Sequence, residues 1–161
     1  MALSATGHYE QAVAEIEGAI AAHPKNPLGP SFRGRIEAWA GNYADAARWF
    51  EQACQLDPAA SYHAFFLAQV YDQLGRVDDA IRLLENGPPQ WRNSPLIRYW
   101  LALSYALAGR KEHAAAEFAA LRALAPKLTL STTQRIWSRY FERQFADRIA
   151  ALSREYGVPG K

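Results

Sequence analysis

The sequence predicts an all-α fold, a solenoid of antiparallel helix pairs. About three full repeats follow a partial N-terminal repeat and precede a C-terminal capping helical region. Three observations predict this. Glycine recurs every 34 residues, at Gly7, Gly41, Gly75 and Gly109. Alanine keeps the same step at Ala12, Ala46, Ala80 and Ala114, and each is followed four residues later by a bulky apolar residue, Ile16, Phe50, Leu84 or Phe118. Proline closes the unit at Pro24, Pro58 and Pro126, with Arg92 breaking that column. A fixed step of this size marks a repeat array in which each unit buries its apolar face against the next.

Each column has a physical reason. Glycine accepts the positive φ of a tight turn between two helices. Alanine suits a close crossing of helix backbones, and the residue four positions on lies on the same helix face and fills the space between. Proline cannot continue a helix interior. Tyr71 and Tyr105 form a further column, with Glu37 in the corresponding earlier slot.

The chain reads as one domain over 1–161: a partial repeat at 1–26, repeats at 27–60, 61–94 and 95–128, and a cap at 129–157. The partial repeat has Gly7 as its expected inter-helix turn and one remaining helix over about 9–22. That helix leaves Val13, Ile16 and Ile20 on an apolar edge, as in the tail piece of a longer array. Apolar residues at three- and four-residue steps place the following helix pairs at about 30–40 and 43–56, 61–74 and 77–86, and 95–108 and 111–124. Pro88 and Pro89 shorten the second helix of the middle pair. Ser94 then reads as an N-cap with Pro95 in the first helical position. The loop 87–94, with Trp91 inside it, is the one irregular connection. The cap starts after Leu128-Thr129-Leu130, carries Ile136, Trp137, Tyr140 and Phe141, continues with Phe145, Ile149 and Leu152, and stops at Gly157 and Pro159.

Over about residues 4 to 126 the pattern resembles the tetratricopeptide repeat, W-x2-L-G-x2-Y, then A-x3-F, then P. Ala46–Phe50 and Ala114–Phe118 match A-x3-F, and Leu67–Tyr71 and Leu101–Tyr105 match the Leu-to-Tyr spacing. The signature Trp and Gly slots hold Ala64 and Ala68, then Arg98 and Ala102; Gly34 recovers the glycine in the first full unit. The resemblance implies a right-handed superhelix whose first helices line a concave groove. The tail resembles that of repeat regions in bacterial adenylate/guanylate cyclase-type and winged-helix regulatory proteins. That likeness implies a regulatory C-terminal region of a larger protein as an alternative role.

Composition narrows the function classes. Half of the 161 residues are hydrophobic and 21% are charged, the balance of a globular chain with a sizeable core. Cys54 has no second cysteine to pair with. No apolar run reaches the roughly 20 residues of a membrane span, and the N-terminus lacks a secretory pattern, so a cytoplasmic setting is expected. Residues 1–88 carry a net charge of −5 and residues 89–161 one of +7, an asymmetry that suits an acidic partner or the opposite half of a second copy. His8, His23, His63 and His113 are scattered, no His-x3-His pair occurs, and no phosphate loop or nucleophile elbow is present. Asp78-Asp79 sits at a helix N-terminus, where carboxylates favour the helix dipole. No catalytic residue, metal site or cofactor is expected.

A binding surface remains. By register, the groove residues are Arg35, Trp39, Tyr62, Phe65, Phe66, Gln69, Asp72, Tyr99, Trp100 and Leu103, with Trp137, Tyr140 and Phe141 in the cap. Aromatic side chains bury large area at low entropic cost, so this groove suits a peptide or partner helix. The resemblance brings a further comparison: repeat domains that grip a C-terminal carboxylate use Lys, Asn and Arg. The corresponding residues here are Ser31, Arg35, Phe66, Leu96 and Trp100, of which Arg35 alone could serve. Arg135, Arg139 and Arg143 form an i, i+4 stripe, with Arg148 and Arg154 beyond; the stripe reads as one face of an amphipathic capping helix, not as a nucleic-acid surface. Self-association through the N-terminal helix is the remaining expected partnership.

Overall fold

The computed structural model describes residues 3–131 and 143–160. Its elements are α1 (Leu3–Ala22), α2 (Leu28–Ala40), α3 (Tyr43–Leu56), α4 (Ser61–Gln73), α5 (Val77–Glu85), a 3-10 turn (Pro89–Asn93), α6 (Pro95–Leu107), α7 (Lys111–Leu124) and α8 (Arg143–Glu155). No strand occurs among the described residues. Each helix from α1 to α7 packs on its chain neighbour, α4 also packs on α6, and α6 packs on α8. The all-α stack of helix hairpins is therefore the fold the 34-residue columns specify.

The glycine column makes the turns. Gly41, Gly75 and Gly109 have φ of 84°, 76° and 72°. This left-handed step lets the next amide reach back to the helix end: Asn42 N–H donates to Glu37 O, Arg76 N–H to Tyr71 O and Arg110 N–H to Tyr105 O, at 2.8–2.9 Å. Three hairpins thus share one turn, with the last helical carbonyls satisfied.

Gly7 departs from the column. The helix α1 runs through it without a break, so the turn expected there is not formed. Helical φ/ψ prevails, because glycine adopts it as readily as the turn conformation.

Ala46, Ala80 and Ala114 are fully buried, and Phe50, Leu84 and Phe118 are at most 4% exposed. Burying one such ring or aliphatic side chain contributes about 1.5–3 kcal/mol. In α1 the equivalents Ala12 and Ile16 are only half-buried. The irregular connection at 87–94 is also ordered by burial. Trp91 is 5% exposed and donates its indole N–H to Ala59 O at 2.8 Å. A Cβ on Gly87 would lie 1.9 Å from the Trp91 ring, so the ring can seat itself only because residue 87 has no side chain. Ser94 caps α6 by accepting from Ile97 N–H, and Pro95 starts the helix.

The helix α8 covers the end of the stack. Ile149 and Ser153 are fully buried, and Ala150 nearly so. The hydroxyls of Tyr99 and Ser153 are hydrogen-bonded at 2.9 Å, and Tyr156 stacks on Phe118 at 5.0 Å between centroids. Arg122 Nη1 donates to Tyr156 O, and Leu130 N–H donates to Pro159 O. The predicted cap residues Trp137, Tyr140 and Phe141, with Arg135 and Arg139, lie outside the described residues.

Candidate functional site: an exposed stripe on the second helix

The ten groove residues divide in two. Trp39 and Tyr62 are exposed, at 69% and 40%, and Arg35 is half-buried. Phe65, Phe66, Gln69, Asp72, Tyr99, Trp100 and Leu103 are buried. Their side chains form the interior between successive hairpins: Phe65 meets Trp100 edge-on at 5.8 Å, Tyr99 meets Phe118 at 6.4 Å, and Phe66 stacks on Phe50 at 5.7 Å. Arg35, Trp39 and Tyr62, the N-terminal part of the expected groove, are its members open to solvent.

That part is larger than the spacing suggested. Leu28 and Phe32 are 49% and 45% exposed. With Arg35 and Trp39 they fall at i, i+4, i+7 and i+11 along α2, a single stripe on one helix face. Arg35 sits at its centre. Its guanidinium lies 5.2 Å from the Phe32 ring and 5.7 Å from the Phe66 ring, and its Nη1 donates to the Tyr62 hydroxyl at 3.2 Å. These contacts fix the long side chain flat against aromatics. Leu28 and Phe32 lie outside the repeat columns; their four-, three- and four-residue steps through Arg35 to Trp39 are the signal that marks them. Next to Trp39 a cavity of about 560 Å³ opens between α1 and α2, lined by Tyr9, Ala12, Ile36, Ala40 and Asn42 among others.

The interior between α4 and α6 holds a carboxyl. Asp72 on α4 is 5% exposed, and its Oδ2 accepts from Trp100 Nε1 at 2.8 Å and from Ser104 Oγ at 2.7 Å. Burial pushes its pKa up to about 8; the two hydrogen bonds and the charge of Arg148 on α8 pull the other way without overcoming it.

Cys54 is half-buried, and burial with nearby carboxylates pushes its thiol up to about 12, so it is not a thiolate nucleophile. Burial lowers His63, which is 3% exposed and packs edge-on to Tyr62. Among the described residues no three His, Cys or carboxylate side chains gather to hold a metal ion. No helix among them is long and apolar enough to cross a membrane.

Known proteins place this architecture. Two family models described as tetratricopeptide repeat match residues 1–61 and 40–96. Superkiller complex protein 3 of Mus musculus is 34% identical over 80 residues, 47% of this chain, and the chain spans only 5% of that relative's length. Among solved structures, MamA superposes with a TM-score of 0.68 at 17% identity, covering 94% of this chain and 88% of its own. A second MamA structure, MSR-1 C2, gives 0.63 at 24% identity over 76% and 70% of the two chains. YrrB, described as a TPR protein with an unusual peptide-binding site, gives 0.64 at 18% identity over 96% and 81%. At these identities the structures speak to the fold. Superpositions over 76–96% of the chain show the same fold, and the overlapping family matches across residues 1–96 identify the chain as one that carries tetratricopeptide repeats.

Proposed function

We propose that the chain is a noncatalytic protein-interaction scaffold that takes a peptide or partner helix on the α2 stripe. The observation that carries this reading is the exposed run of Leu28, Phe32 and Trp39 on one helix face, with Tyr62 beside it. Four large apolar side chains left in solvent on one side are what a partner's apolar face would cover. Phe65, Phe66, Gln69, Asp72, Tyr99, Trp100 and Leu103, the rest of the expected groove, support the stripe from within. YrrB, whose description names a peptide-binding site, shares the fold. Affinity capture with cross-linking tests the reading. Trp39→Ala and Phe32→Ala remove exposed side chains, so the fold should stand while a specific cross-linked partner is lost. Recovery of the same partners by both variants rejects the stripe as the site.

Self-association is a second reading, favoured by α1, of which no described side chain is buried. Its exposed Glu10, Glu15 and Glu17 would meet the C-terminal half, of net charge +7, in another copy. Sedimentation at low and high salt tests it, and a salt-independent monomer removes it. The role as a regulatory region of a larger cyclase or transcription regulator rests on the tail resemblance alone.

A further inference from the structure

Phe32, Arg35 and Ile36 on α2 stand two repeats of 34 residues before Trp100, Leu103 and Ser104 on α6. The two sets differ in cover. Trp100, Leu103 and Ser104 are fully buried, and α4, the first helix of the preceding hairpin, packs on α6 there. Phe65 meets the Trp100 ring edge-on, and Asp72 accepts from both Trp100 and Ser104. The same three places on α4 hold Phe66, Gln69 and Val70, also buried, with the Arg35 guanidinium against the Phe66 ring. On α2, Phe32 is exposed and Arg35 and Ile36 are half-buried. Among the described residues no earlier first helix lies on α2. The exposed stripe is thus the outermost copy of a face that the later hairpins cover with a first helix.

The cavity of about 560 Å³ beside the stripe sets the chemistry of the missing helix. Its wall holds Ile36, which takes the place of Ser104, the residue that donates to Asp72 in the interior. Ile36 and its neighbours in the wall, Ala12 and Ala40, have no side-chain donor, so a carboxyl brought there loses its hydration without gaining a bond. Tyr9 and Asn42 turn their polar ends to Glu37, and exposed His8 completes the lining. A large apolar guest residue fits where the interior uses Asp72. Asp72 follows Phe65 by seven residues, so the guest helix carries apolar residues at i, i+4 and i+7, one stripe on one face. The other wall, α1, holds Glu10, Glu15 and Glu17 and neither lysine nor arginine, which favours lysines along the guest's flank. The same carboxylates weigh against a second copy. Among its described helices α1 alone lacks a buried side chain, and two α1 helices side by side set glutamate against glutamate. We propose that the α2 stripe and this cavity form a socket for an amphipathic helix of another protein, which lies on α2 as α4 lies on α6 and seats its i+7 residue against Ile36. This rests on the scaffold reading and specifies its partner as a helix.

The test uses the full chain and a capped peptide, Lys-Ala-Ala-Lys-Phe-Ala-Ala-Lys-Leu-Ala-Lys-Leu-Ala-Ala-Lys, whose Phe and two Leu fall at i, i+4 and i+7. One control carries serine for the second leucine. Another carries proline for the two alanines after Phe, which breaks the helix and keeps the charge and the apolar side chains. Binding is read by calorimetry and by the indole N–H resonance of Trp39. The parent peptide is expected to move that resonance and to bind about tenfold tighter than either control. Ala40→Trp, at an exposed position in the cavity wall, should fill the cavity and erase the preference for leucine over serine. Phe32→Ala should weaken the parent peptide several-fold and keep that preference. An unmoved Trp39 resonance, equal affinity for the parent and serine peptides, or a preference that survives Ala40→Trp overturns the proposal. Equal binding of the proline peptide, with Trp39 moving, removes the helix socket and leaves the stripe as the scaffold's site. A chain that sediments alone as a dimer, and that Phe32→Ala dissociates, gives the socket to a second copy and overturns the foreign helix.

Discussion

The junction of α1 with α2 and the two interior junctions, α3 with α4 and α5 with α6, occupy equivalent places in the array and are held by different chemistry. Glu17, Glu51 and Glu85 are each 34 residues apart, one on the second helix of each successive unit. In the interior the facing residue is a tyrosine: Tyr71 donates its hydroxyl to Glu51 at 2.8 Å, and Tyr105 donates to Glu85. At the first junction Glu37 stands where the tyrosines stand, and a second carboxylate would face Glu17. Arg33 resolves the conflict by pairing with Glu37 and reaching Glu17 at 3.9 Å. Tyr9 of α1 supplies the missing phenol, donating to both Glu37 oxygens at 2.9–3.0 Å, and Asn42 donates at 2.8 Å. One substitution in the column therefore replaces a tyrosine–glutamate rung by two carboxylates bridged by a guanidinium, under a helix with no buried side chain among its described residues. The end helix rests on a buried ion pair, where the interior junctions add tyrosine–glutamate bonds to a packed core.

Removing a central ring tests the packed half. Trp100→Ala is expected to destabilise the chain by about 3–5 kcal/mol, in one global transition seen by chemical denaturation. Arg33→Met tests the charged half. It leaves the Glu37 carboxylate, 4% exposed, without its cation, at a cost of about 3 kcal/mol. That loss should be local: hydrogen exchange should speed up in α1 while the amides of α4 and α6 keep their protection. A uniform loss of protection would erase the distinction between end and interior.

Asp72 makes a prediction opposite to ordinary acid denaturation. Its folded pKa of about 8 lies above the unfolded carboxyl value of 3.8, so the folded chain holds the extra proton between them. Its contribution is full below pH 4 and is lost as pH rises through 8, by up to about 1.4 kcal/mol per pH unit. Asp72→Asn should flatten this slope in denaturation curves between pH 5 and 8, and an unchanged slope would place its origin elsewhere. The smallest effect is on the rungs. Tyr71→Phe should cost about 1 kcal/mol, since the half-buried Glu51 bond is lost. Tyr9→Phe should cost less, because Arg33 and Asn42 still hold Glu37.

The hairpins were readable because glycine, alanine and proline each have a backbone reason to recur, and a backbone reason does not depend on what lies nearby. The site was read less well. Phe65, Tyr99 and Trp100 sit on the same helix faces that a groove would use, and periodicity alone cannot tell a side chain that meets a partner from one that meets the next hairpin. The glutamate column was visible in the spacing, yet its meaning needed the facing tyrosines. Gly7 keeps the column and lies inside α1, because glycine permits a turn and does not impose one.

The rungs between tyrosine and glutamate also bear on how such a chain can grow. Residues 43–76 hold both halves of one rung, Glu51 and Tyr71, and end in the glycine turn that leads into a helix of the same kind. A duplicate of that stretch, spliced in after residue 76, brings its own fastening and asks nothing of either terminus. Length is therefore a quantity that gene duplication can change one hairpin at a time, without redesign of the ends.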